Sequence, residues 1–252
     1  MFAVRKLIHL AEDELGRIYV YDKKGCRYLS FGGALQQSCI NIRSPHKLTY
    51  KYPQTMVLAS VLIPAMRNCL VAGLGGGALI HFIRRYLPEC NIQVVEYRQA
   101  VIDLAKQFFF ICEQEQLKIE CSDLESYLQD NAHEQFDVVF MDLYTDEGMH
   151  EQQKKLTVYE AALQTLTKNG VLVMNIEKND YSAETKIIAE LERVSGNKCI
   201  KASLMDGNLI VFTFKGEVPL LKSAAVTDGV AGLEKKTRTS FEYLFGRLKV
   251  AE

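Results

Sequence analysis

Cys69-Leu-Val-Ala-Gly-Leu-Gly-Gly-Gly-Ala78, with Glu96 nineteen residues beyond Gly77 in Ile92-Gln-Val-Val-Glu-Tyr97, decides the fold of this chain. An apolar run, a glycine bend, a helix-length segment and a second apolar run ending in an acid form the layout of a nucleoside-binding βαβ unit. Gly73, Gly75 and Gly77 carry no Cβ, so the backbone there turns sharply and lies against a flat ligand. A carboxylate at the end of the second strand accepts hydroxyl protons of a ribose. Spacing alone leaves two cofactor classes open, because Gly73-Leu-Gly75-Gly-Gly77-Ala78 also fits the relaxed Gly-x-Gly-x-x-Ala dinucleotide pattern. Glu96 itself reads either as the ribose ligand or as a solvated strand-end acid, and its spacing from the glycines favours the ribose.

Outward from this unit, strands alternate with helices. Strands are expected near 69–73, 92–96, 118–121, 137–142 and 170–176, and helices near 77–87, 98–111, 122–130, 156–168 and 182–195. Such alternation implies parallel strands joined by right-handed crossovers and covered on both faces. Lys198 to Leu204 and Leu209 to Phe214 flank Met205-Asp-Gly-Asn208, a short turn that makes them an antiparallel hairpin. The expected fold is therefore α/β, a Rossmann-like doubly wound sheet with an antiparallel C-terminal hairpin. Residues 216–230 read as a loop and Gly232 to Leu248 as an amphipathic helix.

The first fifty residues lack helical periodicity. Arg17-Ile-Tyr-Val-Tyr21 alternates, Asp22-Lys-Lys-Gly25 is a turn, Cys26 to Phe31 is the return strand and Gln36 to Ile42 adds another. Residues 1–52 are read as a small N-terminal β-hairpin domain and 53–252 as the Rossmann-like domain. After Pro53, Thr55 to Ile63 is expected to be helical.

A net charge of −1 gives no general argument for nucleic acid or an anionic membrane as partner. There is no 18-residue apolar run to span a bilayer, and Met1 to Leu10 has no signal-peptide pattern. Seven scattered cysteines without a Cys-x-x-Cys pair argue against a zinc site or a disulfide framework, so a reducing, cytoplasmic setting is expected.

In open α/β sheets ligands lie beyond the carboxyl ends of the strands. Asp123, in Cys121-Ser-Asp-Leu124, is placed to accept a proton from an adenine amine or to cap the following helix; the readings are compatible. The fourth strand ends in Phe136-Asp-Val-Val-Phe-Met-Asp142-Leu-Tyr144-Thr-Asp146, which puts Asp142, Tyr144 and Asp146 at the same crevice. A carboxylate there holds a substrate amine or takes its proton, as attack on a sulfonium carbon requires. The alternative is a strand-end acid that caps a turn.

With these residues, the chain resembles the spermidine synthase (polyamine aminopropyltransferase) superfamily, a branch of the S-adenosylmethionine (SAM) dependent methyltransferase fold. The resemblance covers residues 15–215 and rests on Val71 to Gly77, Val94-Val-Glu-Tyr97, Ala100 to Phe108, Ser122-Asp123 and Phe136 to Asp142, with Arg27 to Gly33 in the appendage. It implies a transferase with a nucleoside pocket of Gln36 or Gln37, Gly73, Gly75, Gly77, Glu96 and Asp123, and SAM or decarboxylated SAM as donor. The chain departs from aminopropyltransferases at three places. Gly76 stands where their Gly-Gly-Gly-Asp-Gly loop has its acid, Lys51 lies in the place of their Tyr-His-Glu segment, and Thr145 holds the fourth place of their Asp-Ser-Ser-Asp motif, with Asp146 one step beyond. The expectation is a SAM-type transferase acting on an amine, with Asp142, Tyr144 and Asp146 at the acceptor. A genuine spermidine synthase, a nucleoside-binding protein without catalysis and an NAD-dependent oxidoreductase are the rivals. The appendage and the apolar C-terminal helix add a homodimer as an expectation.

Overall fold

Strand pairing begins at the N-terminus, in a four-stranded antiparallel meander of β1 (Lys6–Asp13), β2 (Gly16–Lys23), β3 (Cys26–Ser30) and β4 (Ser38–Asn41). The computed structural model describes residues 5–32, 38–63, 66–178 and 181–250. Gln36 and Gln37 lie outside the described residues. β1 is a strand that the sequence pattern hid, because a bulge between Leu7 and His9 breaks its period-two alternation. Ile18, Val20, Leu29 and Ile40 form the buried face of this sheet and join the main core.

In place of one helix over 55–63, the chain makes two short ones, α1 (Lys51–Met56) and α2 (Ala59–Leu62). Three-residue turns, Leu58 N–H to Thr55 O and Ser60 N–H to Val57 O, tighten the backbone between them. The alternating region then runs β5 (Asn68–Ala72), α3 (Ala78–Tyr86), β6 (Asn91–Glu96), α4 (Gln99–Phe108), β7 (Leu117–Cys121), α5 (Leu124–Asp130) and β8 (Phe136–Met141). A small hairpin of β9 (Tyr144–Thr145) and β10 (Gly148–Met149) and a 3-10 turn at Glu151–Lys154 follow. The rest is α6 (Leu156–Gln164), β11 (Leu166–Glu177), α7 (Tyr181–Ser195), β12 (Cys199–Ser203), β13 (Asn208–Phe214), α8 (Ala224–Thr237), α9 (Glu242–Phe245) and β14 (Lys249–Val250).

One eight-stranded sheet results, in the order β14-β12-β13-β11-β8-β5-β6-β7. β11, β8, β5, β6 and β7 are mutually parallel, whereas β13 runs antiparallel between β11 and β12. Alternate residues of each central strand serve two cores. Val71, Val94 and Phe140 face α3 and α4, and Leu70, Val95, Val139 and Met174 face α5, α6 and α7. Burial on both faces is why these strands read as continuous apolar runs.

The C-terminal segment differs from expectation. The helix starts at Ala224, inside the segment read as a loop, because the Ser223 hydroxyl caps Val226 N–H at 3.4 Å. It stops at Arg238, which has φ +54°, and the chain restarts as the separate α9. No helix among the described residues is long and apolar enough to cross a membrane.

Candidate functional site

A cavity of about 530 Å³ lies beyond the carboxyl ends of β5, β6, β7 and β8. Gly73, Gly75, Gly77, Glu96, Asp123, Asp142, Tyr144 and Asp146 all line it, so every described residue expected at the nucleoside pocket or the acceptor comes to one place. The cavity opens at the switch point of the sheet, where the chain has built β6 and β7 on one side of β5 and crosses back after β7 to place β8 on the other.

The bend after β5 works by close approach. Gly73 sits at φ +93°, and a Cβ there would lie 2.4 Å from the main-chain oxygen of Asp142. The absent side chain therefore lets the glycine bend and the end of β8 converge on one ligand volume. Glu96, only 8% exposed, is braced against the same bend. Its Oε2 accepts Leu74 N–H at 2.9 Å and its Oε1 accepts Arg98 N–H at 3.0 Å. Burial pushes the Glu96 carboxyl above its ordinary value, and the two main-chain bonds oppose that rise. Each oxygen keeps a second lone pair, so the group still accepts two ligand hydroxyls.

Asp123 combines both of its expected places. Its side chain caps α5 through Ser126 N–H at 3.0 Å, and Gln152 Nε2 donates to it at 2.9 Å, while the residue also lines the cavity. Burial raises its pKa, yet the Ser126 and Gln152 bonds outweigh this and hold the carboxyl below its usual value. Gln152 Oε1 accepts Leu124 N–H at 3.0 Å, so this side chain organises the whole α5 terminus.

Asp142, half-buried at the cavity wall, is the centre of a polar network. Asn175 Nδ2 donates to its Oδ1 at 2.8 Å, and the Tyr52 hydroxyl donates to the same carboxylate. Burial pushes Asp142 up to about 6, against these two bonds. Tyr144 reaches the network indirectly, its hydroxyl donating to Asn175 O at 3.0 Å. Gln153, fully buried, donates to the same carbonyl at 2.6 Å and accepts Leu143 N–H at 2.6 Å. Asp146 stands apart, exposed at the turn of the β9–β10 hairpin. Thr145 Oγ1 accepts Glu147 N–H at 3.2 Å within that turn. Lys51 does not bring its charge to the cavity: its ammonium donates to Gln54 Oε1 at 3.2 Å, and only its neighbours Tyr52 and Pro53 line the wall.

Sequence reasoning missed Tyr52, Ser38, Gln152 and Gln153, and left Asn175 without a role. Each acts across a wide gap in sequence, so no local spacing marks it. Arg98 is a further omission. Its guanidinium bonds Asp13 at 2.5 and 3.0 Å and Gly16 O at 2.8 Å, and lies 4.7 Å from the Phe31 ring centroid. It thereby holds the β1–β2 turn, with Leu15 and Phe31, over the cavity.

The spermine/spermidine synthase domain family matches residues 53–206. The eEF1A lysine and N-terminal methyltransferase of Xenopus laevis is 28% identical over 224 residues, 81% of this chain but 32% of its own length. The chain thus spans about a third of that relative. The polyamine aminopropyltransferase of Chromobacterium violaceum is 22% identical over 99% of this chain and 95% of its own. Two solved structures share the fold. A probable spermidine synthase from Corynebacterium glutamicum ATCC 13032 superposes with a TM-score of 0.76 at 16% identity, over 90% of this chain and 86% of that one. Human methyltransferase-like protein 13, in complex with SAH, gives 0.66 at 21% identity, over 75% of this chain and 93% of that one. The matched segment takes in more than half the sequence and every strand end that opens on the cavity, so the chain belongs to the spermine/spermidine synthase domain family.

Proposed function

We propose that this chain is a transferase using an adenosine sulfonium donor, SAM or its decarboxylated form, and that its acceptor is an amine. The observation that carries the reading is Glu96, a buried carboxylate fixed by two main-chain N–H groups with its remaining lone pairs on the cavity. Glu96 holds the ribose, Asp123 and Leu124 meet the adenine, and the glycine bend receives the donor's tail. Cavity size fits a ligand of this class, for which pockets of about 300–1,000 Å³ are usual.

Such a donor supplies an electrophilic carbon: the amine lone pair forms the new N–C bond as the C–S bond breaks, and the electron pair leaves with a neutral thioether. The residues of this chain act by positioning and by handling one proton. Asp142, ionised above about pH 6, holds the acceptor ammonium and takes the proton that the nitrogen must lose. Tyr52 and Asn175 fix its orientation, and Tyr144 and Gln153 fix Asn175. Asp146, at the exposed turn, gives the acceptor's entrance negative charge. The name of the Xenopus relative supports a protein lysine or N-terminal amine as acceptor.

Aminopropyl transfer is the second reading, favoured by the near full-length match to the Chromobacterium enzyme. Incubation with labelled SAM and labelled decarboxylated SAM, against lysine peptides, N-terminal peptides and polyamines, separates the two. Transfer of a methyl group to a peptide amine is the expected result. Absence of binding of either donor, measured by calorimetry, would refute the functional reading.

A further inference from the structure

Beyond Asn175, whose amide bonds Asp142, β11 runs on past the cavity wall to Glu177. Lys178 follows. Its N–H donates to Gly207 O at 2.7 Å, and its ammonium donates to Ser203 Oγ at 2.7 Å and to Leu204 O at 3.2 Å. The β12–β13 turn is thereby tied to the strand that positions Asp142. Three residues of strand, at about 3.3 Å each, put this anchor about 10 Å from Asn175. Met205, in the turn, is 86% exposed, and Tyr181, the first residue of α7, is 83% exposed; no other large apolar side chain among the described residues reaches either value. Tyr181 comes three residues after Lys178, a span of at most about 11 Å.

We propose, resting on the reading of the acceptor as an amine, that the β12–β13 turn and the start of α7 dock the protein that carries this amine, and that they take a basic, apolar segment beside it. One exposed apolar side chain is ordinary on a protein surface. Two at the same strand end, next to the acceptor side of a cavity, form a surface, and methionine and aromatic residues are the types enriched at interfaces. Charge selects the occupant. Asp146 and Glu147 are exposed where the cavity opens, Asp206 is exposed beside Met205, and among the described residues none of the three is in an ion pair. Glu177 and Lys178, adjacent in the chain, offset each other. The rim from the cavity to the turn is therefore acidic. It attracts a cationic segment, and apolar side chains about three to six positions from the target amine reach Met205 and Tyr181 in an extended chain. A free polyamine has no side chains with which to cover them.

Fluorescence anisotropy on the full chain, saturated with methylthioadenosine, tests the proposal with labelled peptide pools of equal length. Each peptide has a central lysine, and its flanks are drawn at random from arginine and leucine, from glutamate and leucine, or from arginine and serine. The arginine–leucine pool is expected to bind about tenfold tighter than either of the others. Met205→Ser combined with Tyr181→Ser should weaken that pool about tenfold, and Asp206→Asn about twofold to fivefold, with melting temperature and methylthioadenosine affinity unchanged. Equal binding of the three pools overturns the proposal, and so does a double variant that binds the arginine–leucine pool as the parent does. Both results leave the donor reading intact, because methylthioadenosine still binds. Failure of SAM and methylthioadenosine to bind removes the donor reading, and with it the acceptor whose docking is proposed.

Discussion

Glu96→Gln keeps the shape of the side chain, removes its charge and exchanges one oxygen for an NH2 group. Both oxygens of Glu96 are in use, one for Arg98 N–H at 3.0 Å and one for Leu74 N–H at 2.9 Å. An amide has a single acceptor oxygen, so one main-chain N–H then faces another donor, and half of the acceptor sites open to a ribose are lost. A hydrogen bond to a charged group is worth about 1.5–3 kcal/mol, so the dissociation constant for SAM should rise about tenfold to a hundredfold. Melting temperature should change little, because burial raises the Glu96 pKa and removal of the charge relieves that desolvation. Calorimetry with methylthioadenosine and its 3′-deoxy analogue closes a double-mutant cycle. The deoxy analogue should bind more weakly than the parent to the unmodified protein, and the two should approach each other in Glu96→Gln. If the penalty for the missing hydroxyl is the same in both proteins, Glu96 does not hold the ribose and the assignment of the pocket fails.

Asp142→Asn should abolish transfer and stabilise the protein above pH 6. The native-state carboxyl is raised from 3.8 to about 6, so its stability contribution is complete below about pH 4 and is lost as pH rises through 6, about 3 kcal/mol in all. Thermal melts of the variant and parent at pH 4 and pH 8 should coincide at the lower pH and separate at the higher, with the parent less stable. In the unmodified protein, turnover at saturating donor should rise with pH through about 6, as rates in a buffered series will show, since only ionised Asp142 accepts the proton. Gly73→Ala places a Cβ 2.4 Å from Asp142 O at φ +93°, and a loss of more than about 2 kcal/mol in urea unfolding is expected. Arg98→Ala leaves Asp13 unpaired and frees the β1–β2 turn. Calorimetry should show weaker donor binding, because Leu15 and Phe31 no longer hold their places on the cavity wall.

What the sequence made legible is set by the range of the forces concerned. The period of the apolar residues is local, so β5, α3, β6, α4 and β8 could be placed from it, and the Met205-Asp-Gly-Asn208 turn located the antiparallel β13. Gly73 and Asp142 were both legible, one as a bend and one as a strand end, although the reason they are neighbours, the 2.4 Å approach that forbids a Cβ, belongs to the folded chain alone. Partners were another matter. Tyr52 meets Asp142 from a helix ninety residues earlier in the chain, and Gln153 meets Asn175 from the 3-10 turn 22 residues before it. Neither contact has a spacing rule. The start of α8 had a readable sign, Ser223 followed by Val226, Val230 and Leu233 on one helical face, which the glycines at 229 and 232 obscured.

Two carboxylates line one cavity, Glu96 buried and Asp142 half-buried, and they differ in what holds them. Glu96 takes its bonds from main-chain amides that cannot move without moving the glycine bend, so its charge is tied to the shape of the nucleoside site. Asp142 takes its bonds from a phenol and a side-chain amide, which can turn. Among the described residues the buried Asn175 Oδ1 has no partner, so no hydrogen bond at that atom opposes a turn of the amide. A proton arriving on Asp142 would find that acceptor beside it, and a rotation of the Asn175 amide would convert a donor to the carboxylate into an acceptor from the acid. Each acid is thus fitted to one task by what holds it: a rigid brace suits a group that must keep its charge while binding hydroxyls, and a reversible partner suits a group that gains and loses a proton in each cycle. Under the proposed function, the acid–base step therefore belongs to Asp142 and ribose binding to Glu96.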